Sequence, residues 1–130
     1  MKFKLLLFTV LLFWTCEQHQ TQILEIGFLE GKVTIGPLCP VETDPPDPAC
    51  QPTQETYNNW PIVVWTADKR TKIATIKPDL HGNYKIDLPE GTYLIDLDKQ
   101  HMFGKNLPVF IDIKSNEIII LNIDIDTGIR

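Results

Sequence analysis

The chain has 130 residues, a formal net charge of −5 and three cysteines. A chain of this length accommodates one small domain. The acidic balance, with no cluster of Lys or Arg among aromatic residues, argues against nucleic acid as a partner.

Residues 1–15 have the features of an export signal. Lys2 and Lys4 precede an apolar run from Leu5 to Trp14, which is too short to span a hydrocarbon core of about 30 Å. The residues around Cys16 lack the small-residue pattern of ordinary secretory cleavage, and a cut before Cys16 resembles the cleavage of a bacterial lipobox. We therefore expect a lipoprotein-type signal peptide over 1–15 and lipidation of Cys16. An uncleaved anchor or an unusual cleavage site is the alternative.

The mature chain is predicted to begin with a polar tether over 16–27. The segment from Glu17 to Gln22 has no apolar periodicity, so it cannot bury enough surface to order itself. The domain itself is predicted over 28–130, with a proline-rich insertion over 36–61.

The domain is predicted to be all-β. Apolar and polar residues alternate with period two from Leu29 to Ile35, which indicates a strand with one buried face. Six more strands are predicted, over 62–67, 71–77, 84–88, 92–97, 107–114 and 117–124. Asp79 and Gly82 suit a type I turn between two of them. Seven strands without helical periodicity predict an antiparallel seven-stranded β-sandwich.

The insertion over 36–61 contains seven prolines, so no central strand is expected there. If Cys16 is consumed by lipidation, Cys39 and Cys50 are left as a pair, and we expect a disulfide. Two thiolates without a nearby histidine would make an incomplete metal site. A bridge would contribute on the order of 3 kcal/mol in the chain-entropy model.

The insertion also supplies the candidate recognition residues, which are Glu42, Thr43, Asp44 and Asp47. Loops on a rigid scaffold often carry binding, and prolines restrict the unfolded chain so that less order is lost on binding. The alternative is that this loop only covers a sheet edge and prevents aggregation.

The segment from Gly31 to Val41, the later Cys50 and the stretch from Gly82 to Ile95 resemble the carboxypeptidase regulatory-like domain family. The resemblance implies a transthyretin-like (prealbumin-like, Ig-like) sandwich. The ending over 126–130 is similar to that of uncharacterised bacterial envelope lipoproteins. In the family's metallocarboxypeptidases this domain sits beside the enzyme and is not catalytic, so the resemblance implies an accessory module.

The sequence contains no recognisable catalytic arrangement. His19, His81 and His101 are isolated, and no zinc-ligand motif is present. A transthyretin-like hydrolase would need His and Arg residues that converge in a groove, and the only arginines are Arg70 and Arg130. We therefore predict that the protein is not an enzyme and uses neither a cofactor nor a metal.

Two other patterns have ordinary structural explanations. Asn122, Asp124 and Asp126 alternate along the last predicted strand, which indicates a solvated face more than a calcium site. Trp60 and Trp65 could form a stacking platform for a carbohydrate, but packing is favoured. We expect Trp65 in the core and Trp60 at an edge of the sandwich.

The sequence thus predicts a non-enzymatic envelope protein outside the cytoplasm, either periplasmic or at the cell surface. A lipid would hold it at the membrane, and it would act as a binding or structural accessory module with a second envelope protein as a candidate partner. The alternative is a protein or protease recognition module that acts through the loop over 38–52. A hydrolase is less favoured.

Overall fold

The computed structural model describes residues 23–98 and 103–129. The predicted signal peptide, Cys16, most of the tether, His101 and Arg130 lie outside the described residues. Within the described ranges, no helix has the length and apolarity needed to cross a membrane.

The described residues form nine strands and two short helices. The strands are β1 (Ile26–Gly36), β2 (Ile62–Thr66), β3 (Lys72–Ile76), β4 (Asn83–Pro89), β5 (Gly91–Leu97), β6 (Phe103–Gly104), β7 (Val109–Ile113), β8 (Ile118–Ile120) and β9 (Ile123–Asp126). A 3-10 helix (Pro48–Cys50) and helix α1 (Gln54–Asn59) lie between β1 and β2.

These strands form two sheets that pack as a sandwich, as the alternation predicts. The first sheet has the order β4-β1-β9-β6, with β8 also paired to β1, and the second has the order β3-β2-β5-β7. Strand β1 pairs antiparallel with β4 but parallel with β8 and β9. The parallel pairs arise because the chain crosses from β7 in the second sheet to the first sheet before it pairs with β1. The sandwich is therefore not purely antiparallel.

The number of strands differs from the predicted seven for two reasons. The predicted last strand is divided into β8 and β9, because the side-chain Oδ1 of Asn122 accepts a hydrogen bond from the backbone N of Lys32 at 3.0 Å. At this point a side-chain hydrogen bond replaces a backbone hydrogen bond between β1 and the segment that links β8 to β9. In addition, β6 pairs with β9, and a strand of two residues is too short to give a period-two pattern.

The insertion contains no strand between residues 37 and 61, as predicted, but it does contain helices that the sequence pattern did not predict. Helix α1 begins with a capping box in which the Thr53 side chain accepts from the backbone N of Thr56 and the Thr56 side chain accepts from the backbone N of Thr53. With six residues, α1 is too short to show helical periodicity. Its residue Tyr57 is buried against the core.

The core fills the space between the sheets, and its fully buried side chains include Leu29, Val33, Ile62, Val64, Leu88, Ile95, Ile113, Ile123 and Ile125. Trp60 packs against this core from the edge, as expected. Trp65 does not belong to it: Ile62 and Val64 face inward, so Trp65 faces outward on the second sheet. There the Lys72 ammonium lies 5.7 Å from its ring centroid.

Candidate functional site

A cavity lies between the proline-rich loop and the end of β1. It has a volume of about 440 Å³, within the usual range for ligand sites. We call it the loop groove. Its floor is the segment from Lys32 to Ile35, one wall comes from the loop, and the other comes from the turn between β3 and β4.

A disulfide between Cys39 and Cys50 holds the loop wall, as predicted, with the two Cα atoms 5.5 Å apart. The start of the loop is also joined to the sandwich, because the Thr127 hydroxyl donates to the carbonyl oxygen of Pro37. Leu38 packs against the hydrophobic core. The loop is therefore fixed to the scaffold at its base, and the groove has a defined wall.

The four predicted recognition residues have different roles in this wall. Glu42 lines the groove. Glu42, Thr43 and Asp47 line a second cavity of about 240 Å³ within the loop, and Asp44 lines neither cavity. The Thr43 hydroxyl donates to the carbonyl oxygen of Pro45 at 3.0 Å. The Asp47 side chain accepts from the backbone N of Ala49 at 2.9 Å and caps the 3-10 helix. Thr43 and Asp47 thus help to shape the loop, whereas Glu42 faces the groove.

The opposite wall is the turn between β3 and β4. The turn closes as predicted, with the backbone N of Gly82 donating to the carbonyl oxygen of Asp79 at 3.0 Å. The Asp79 carboxylate also accepts from the backbone N of His81 at 2.8 Å. Gly82 has a φ of +83°, and a Cβ there would collide with the backbone of β1. This turn holds Leu80 and His81 at the rim of the groove.

Two groove residues were not predicted from the sequence. Leu80 is 63% exposed, and an apolar residue in a turn gives no pattern that distinguishes it from its neighbours. Tyr57 lies at the base of the groove, where burial and then the charge of Asp79 raise its pKa. Its phenol therefore stays protonated at neutral pH and can only act as a hydrogen-bonding group. Tyr57 lies on helix α1, and the capping residue Thr53 was the one local sequence signal for this helix.

The structure does not bring the isolated polar residues into a reactive cluster. His81 is the one histidine within the described ranges, and Arg70 lies 3.7 Å from Asp68 in an exposed ion pair. No group of three or more His, Cys, Asp or Glu side chains in these ranges has the geometry of a metal site. Asp124, one of the residues weighed above as a calcium ligand, instead pairs with Lys105 at 3.2 Å.

No family model and no curated protein matches the sequence. Among solved structures, the minor pilin of Streptococcus agalactiae gives a TM-score of 0.51 at 14% identity, over 79% of this chain and 45% of the pilin. A DUF3823 family protein from Parabacteroides merdae gives 0.48 at 14% identity, over 78% and 46%. The TIE protein of Bacillus anthracis gives 0.46 at 17% identity, over 76% and 16%.

This chain therefore spans less than half the length of each of these proteins. At such identity the likeness to the pilin identifies the fold alone, which is a β-sandwich of the prealbumin or Ig-like type. The resemblance to the carboxypeptidase regulatory-like family is supported at the level of this fold, and membership in the family stays a prediction.

Proposed function

We propose that the protein is a non-enzymatic binding module outside the cytoplasm and that the loop groove is its recognition surface. The observation that carries this proposal is the construction of the groove: a loop closed by the Cys39–Cys50 bridge stands against a rigid strand and encloses about 440 Å³. A wall fixed in this way loses little conformational freedom when a ligand binds.

The disulfide supports a location outside the cytoplasm, because thiols are kept reduced in the cytosol. We propose further that the export signal and a lipid on Cys16 hold the protein at a membrane of the cell envelope. Strand β1 has 11 residues and is about 35 Å long at about 3.3 Å per residue. The loop groove follows the far end of this strand, so the groove and the predicted tether lie at opposite ends of β1.

The competing explanation is that the loop only covers the end of the sandwich. Photo-crosslinking in intact cells separates the two. A photoreactive amino acid at position 42 would lie in the groove, whereas the same residue at position 90 would lie beside the opposite end of β1.

If the groove recognises a partner, we expect adducts from position 42 and few from position 90. Equal yields at the two positions, or no adduct from position 42, would contradict the proposal. Circular dichroism of both variants provides the control for folding, since both positions are exposed.

A further inference from the structure

We propose that the loop groove binds an extended peptide segment of a partner protein, which adds as a short strand to the open end of β1. This inference rests on the proposed function, because it names the ligand class of the same groove. It follows from the backbone of β1 at Ile35, where the hydrogen-bonding groups on the side away from β9 have no partner among the described residues.

The direction of each backbone group along β1 follows from the pairing. The backbone groups of Gly36 point toward β9, because the Gly36 carbonyl oxygen accepts from the backbone N of Thr127 at 3.2 Å. The backbone groups of Val33 point to the opposite side, because the Val33 backbone N donates to the carbonyl oxygen of Gly82 at 2.7 Å. Successive residues alternate between the two sides of a strand. The backbone N–H and C=O of Ile35 therefore point to the same side as those of Val33.

No strand occupies that side next to Ile35. Strand β4 begins at Asn83, which pairs with Lys32, and the chain before it turns away through the β3–β4 turn. The Ile35 backbone makes no hydrogen bond on this side to any described residue. Since Ile35 lines the loop groove, the floor of the groove has a short unpaired edge of the sheet at this residue. Such an edge is a template for an added strand.

The side chains around this edge indicate which peptide would fit. Leu80 at the rim is 63% exposed, so it offers an apolar contact to one side chain of an added strand. Lys32 also lines the groove, and its ammonium forms no ion pair with any described residue. An acidic side chain that lies beside Lys32 and away from Glu42 on the loop wall would complement this charge. We therefore infer an extended segment that carries an apolar residue and an acidic residue.

The test uses the full-length protein in mild detergent and a displayed library of random octapeptides. Peptides enriched on the protein are made synthetically, and each backbone N is methylated in turn. In an added strand, alternate N–H groups face the template. We expect methylation of the one peptide N–H that donates to the Ile35 carbonyl oxygen to weaken binding by about tenfold, and methylation of the positions on either side of it to have little effect. No enrichment, or losses spread evenly along the peptide, would overturn the inference.

Substitutions at two equally exposed residues test whether the peptides bind in the groove. Leu80 and Ile120 are both 63% exposed, but only Leu80 lines the groove. We expect Leu80→Ser to weaken the enriched peptides about fivefold to tenfold, Ile120→Ser to leave their affinity unchanged, and Lys32→Glu to weaken the acidic ones. Equal effects of the two serine variants would overturn the inference.

The crosslinking experiment tests the proposed function and the peptide experiment tests the ligand class, so the two can fail independently. Adducts from position 42 without any enriched peptide would leave the groove as a recognition surface and exclude an extended peptide, in favour of a ligand such as a carbohydrate. An absence of adducts from position 42 would instead remove the proposed function itself.

Discussion

The replacement of Gly31 by Ala tests the packing that holds the two parts of the first sheet together. Gly31 lies in the middle of β1, where the link between β8 and β9 passes close to the backbone. A Cβ at this position would lie 2.7 Å from the carbonyl carbon of Leu121, closer still to its oxygen, and 3.1 Å from the Tyr84 ring. Because the first contact is with backbone, no side-chain rotation relieves it.

The expected magnitude follows from two effects. Overpacking of a close contact costs about 1–3 kcal/mol. The same carbonyl oxygen of Leu121 accepts a hydrogen bond from the Tyr84 hydroxyl at 2.5 Å, and displacement of this carbonyl would cost about 1 kcal/mol more. The lower entropy of the unfolded Ala chain offsets about 0.4–1 kcal/mol. We therefore expect a net destabilisation of about 2–3 kcal/mol, which lowers the Tm by about 10 °C or more in a domain of this size.

The matched control is Gly36→Ala in the same strand, because a Cβ at Gly36 would meet nothing within 4 Å. Its free energy of unfolding should equal the wild-type value or exceed it by up to about 1 kcal/mol, because the Ala side chain restricts the unfolded chain without a clash in the folded state. Urea unfolding followed by both fluorescence and circular dichroism measures these differences and checks two-state behaviour.

A second variant tests the hydrogen bond between the Tyr84 hydroxyl and the carbonyl oxygen of Leu121. Tyr84→Phe alone should cost about 1 kcal/mol, and it should cost less in the Gly31→Ala background, where the hydrogen bond is already disturbed. The reasoning would be refuted if Gly31→Ala were as stable as the wild type, or if both glycine replacements destabilised the protein equally.

Three further predictions address the anchor, the bridge and the carboxyl pair. Cys16→Ser should release the protein from the membrane fraction or leave its precursor unprocessed. Reduction of Cys39–Cys50 should increase proteolysis within the proline-rich loop and leave the β-type circular dichroism largely unchanged, because the strands lie outside the covalent ring. The hydrogen bond with the Glu25 side chain raises the pKa of the Glu90 carboxyl. Protonated Glu90 therefore stabilises the folded protein at low pH, and this stabilisation is lost as the pH rises through the raised pKa. Glu90→Gln should therefore raise the Tm at pH 7 and leave it unchanged near pH 3.

Each of these predictions has a result that would contradict it. A processed Cys16→Ser product that remains in the membrane would exclude the lipid anchor. Two free thiols in the unfolded, unreduced protein would exclude the bridge. For the carboxyl pair, Glu55→Gln on α1 is the control, and an equal rise in Tm for this variant would show that the gain comes from net charge alone.

The local features that the sequence predicts correctly depend on neighbouring residues. Alternation of apolar and polar side chains defines a buried face within one strand, and this was sufficient to predict a β-sandwich. The turn from Asp79 to Gly82 forms as predicted, because its hydrogen bonds join residues a few positions apart. The pairing of Cys39 with Cys50, which are 11 positions apart, was predicted on the condition that lipidation consumes Cys16, and the structure contains this disulfide.

Features that depend on distant residues were decided only by the tertiary structure. Alternation does not state which of two faces meets the core, so Trp65 was predicted inside and lies outside. The break between β8 and β9 needs a hydrogen bond between Lys32 and Asn122, which are 90 positions apart. The free edge at Ile35 exists because β4 begins opposite Lys32 and does not extend past it toward Ile35, while β9 pairs with β1 through Gly36 on the other side. A sequence specifies which backbone groups a strand has, but the lengths of its two neighbours decide which of those groups remain unpaired and available to a partner.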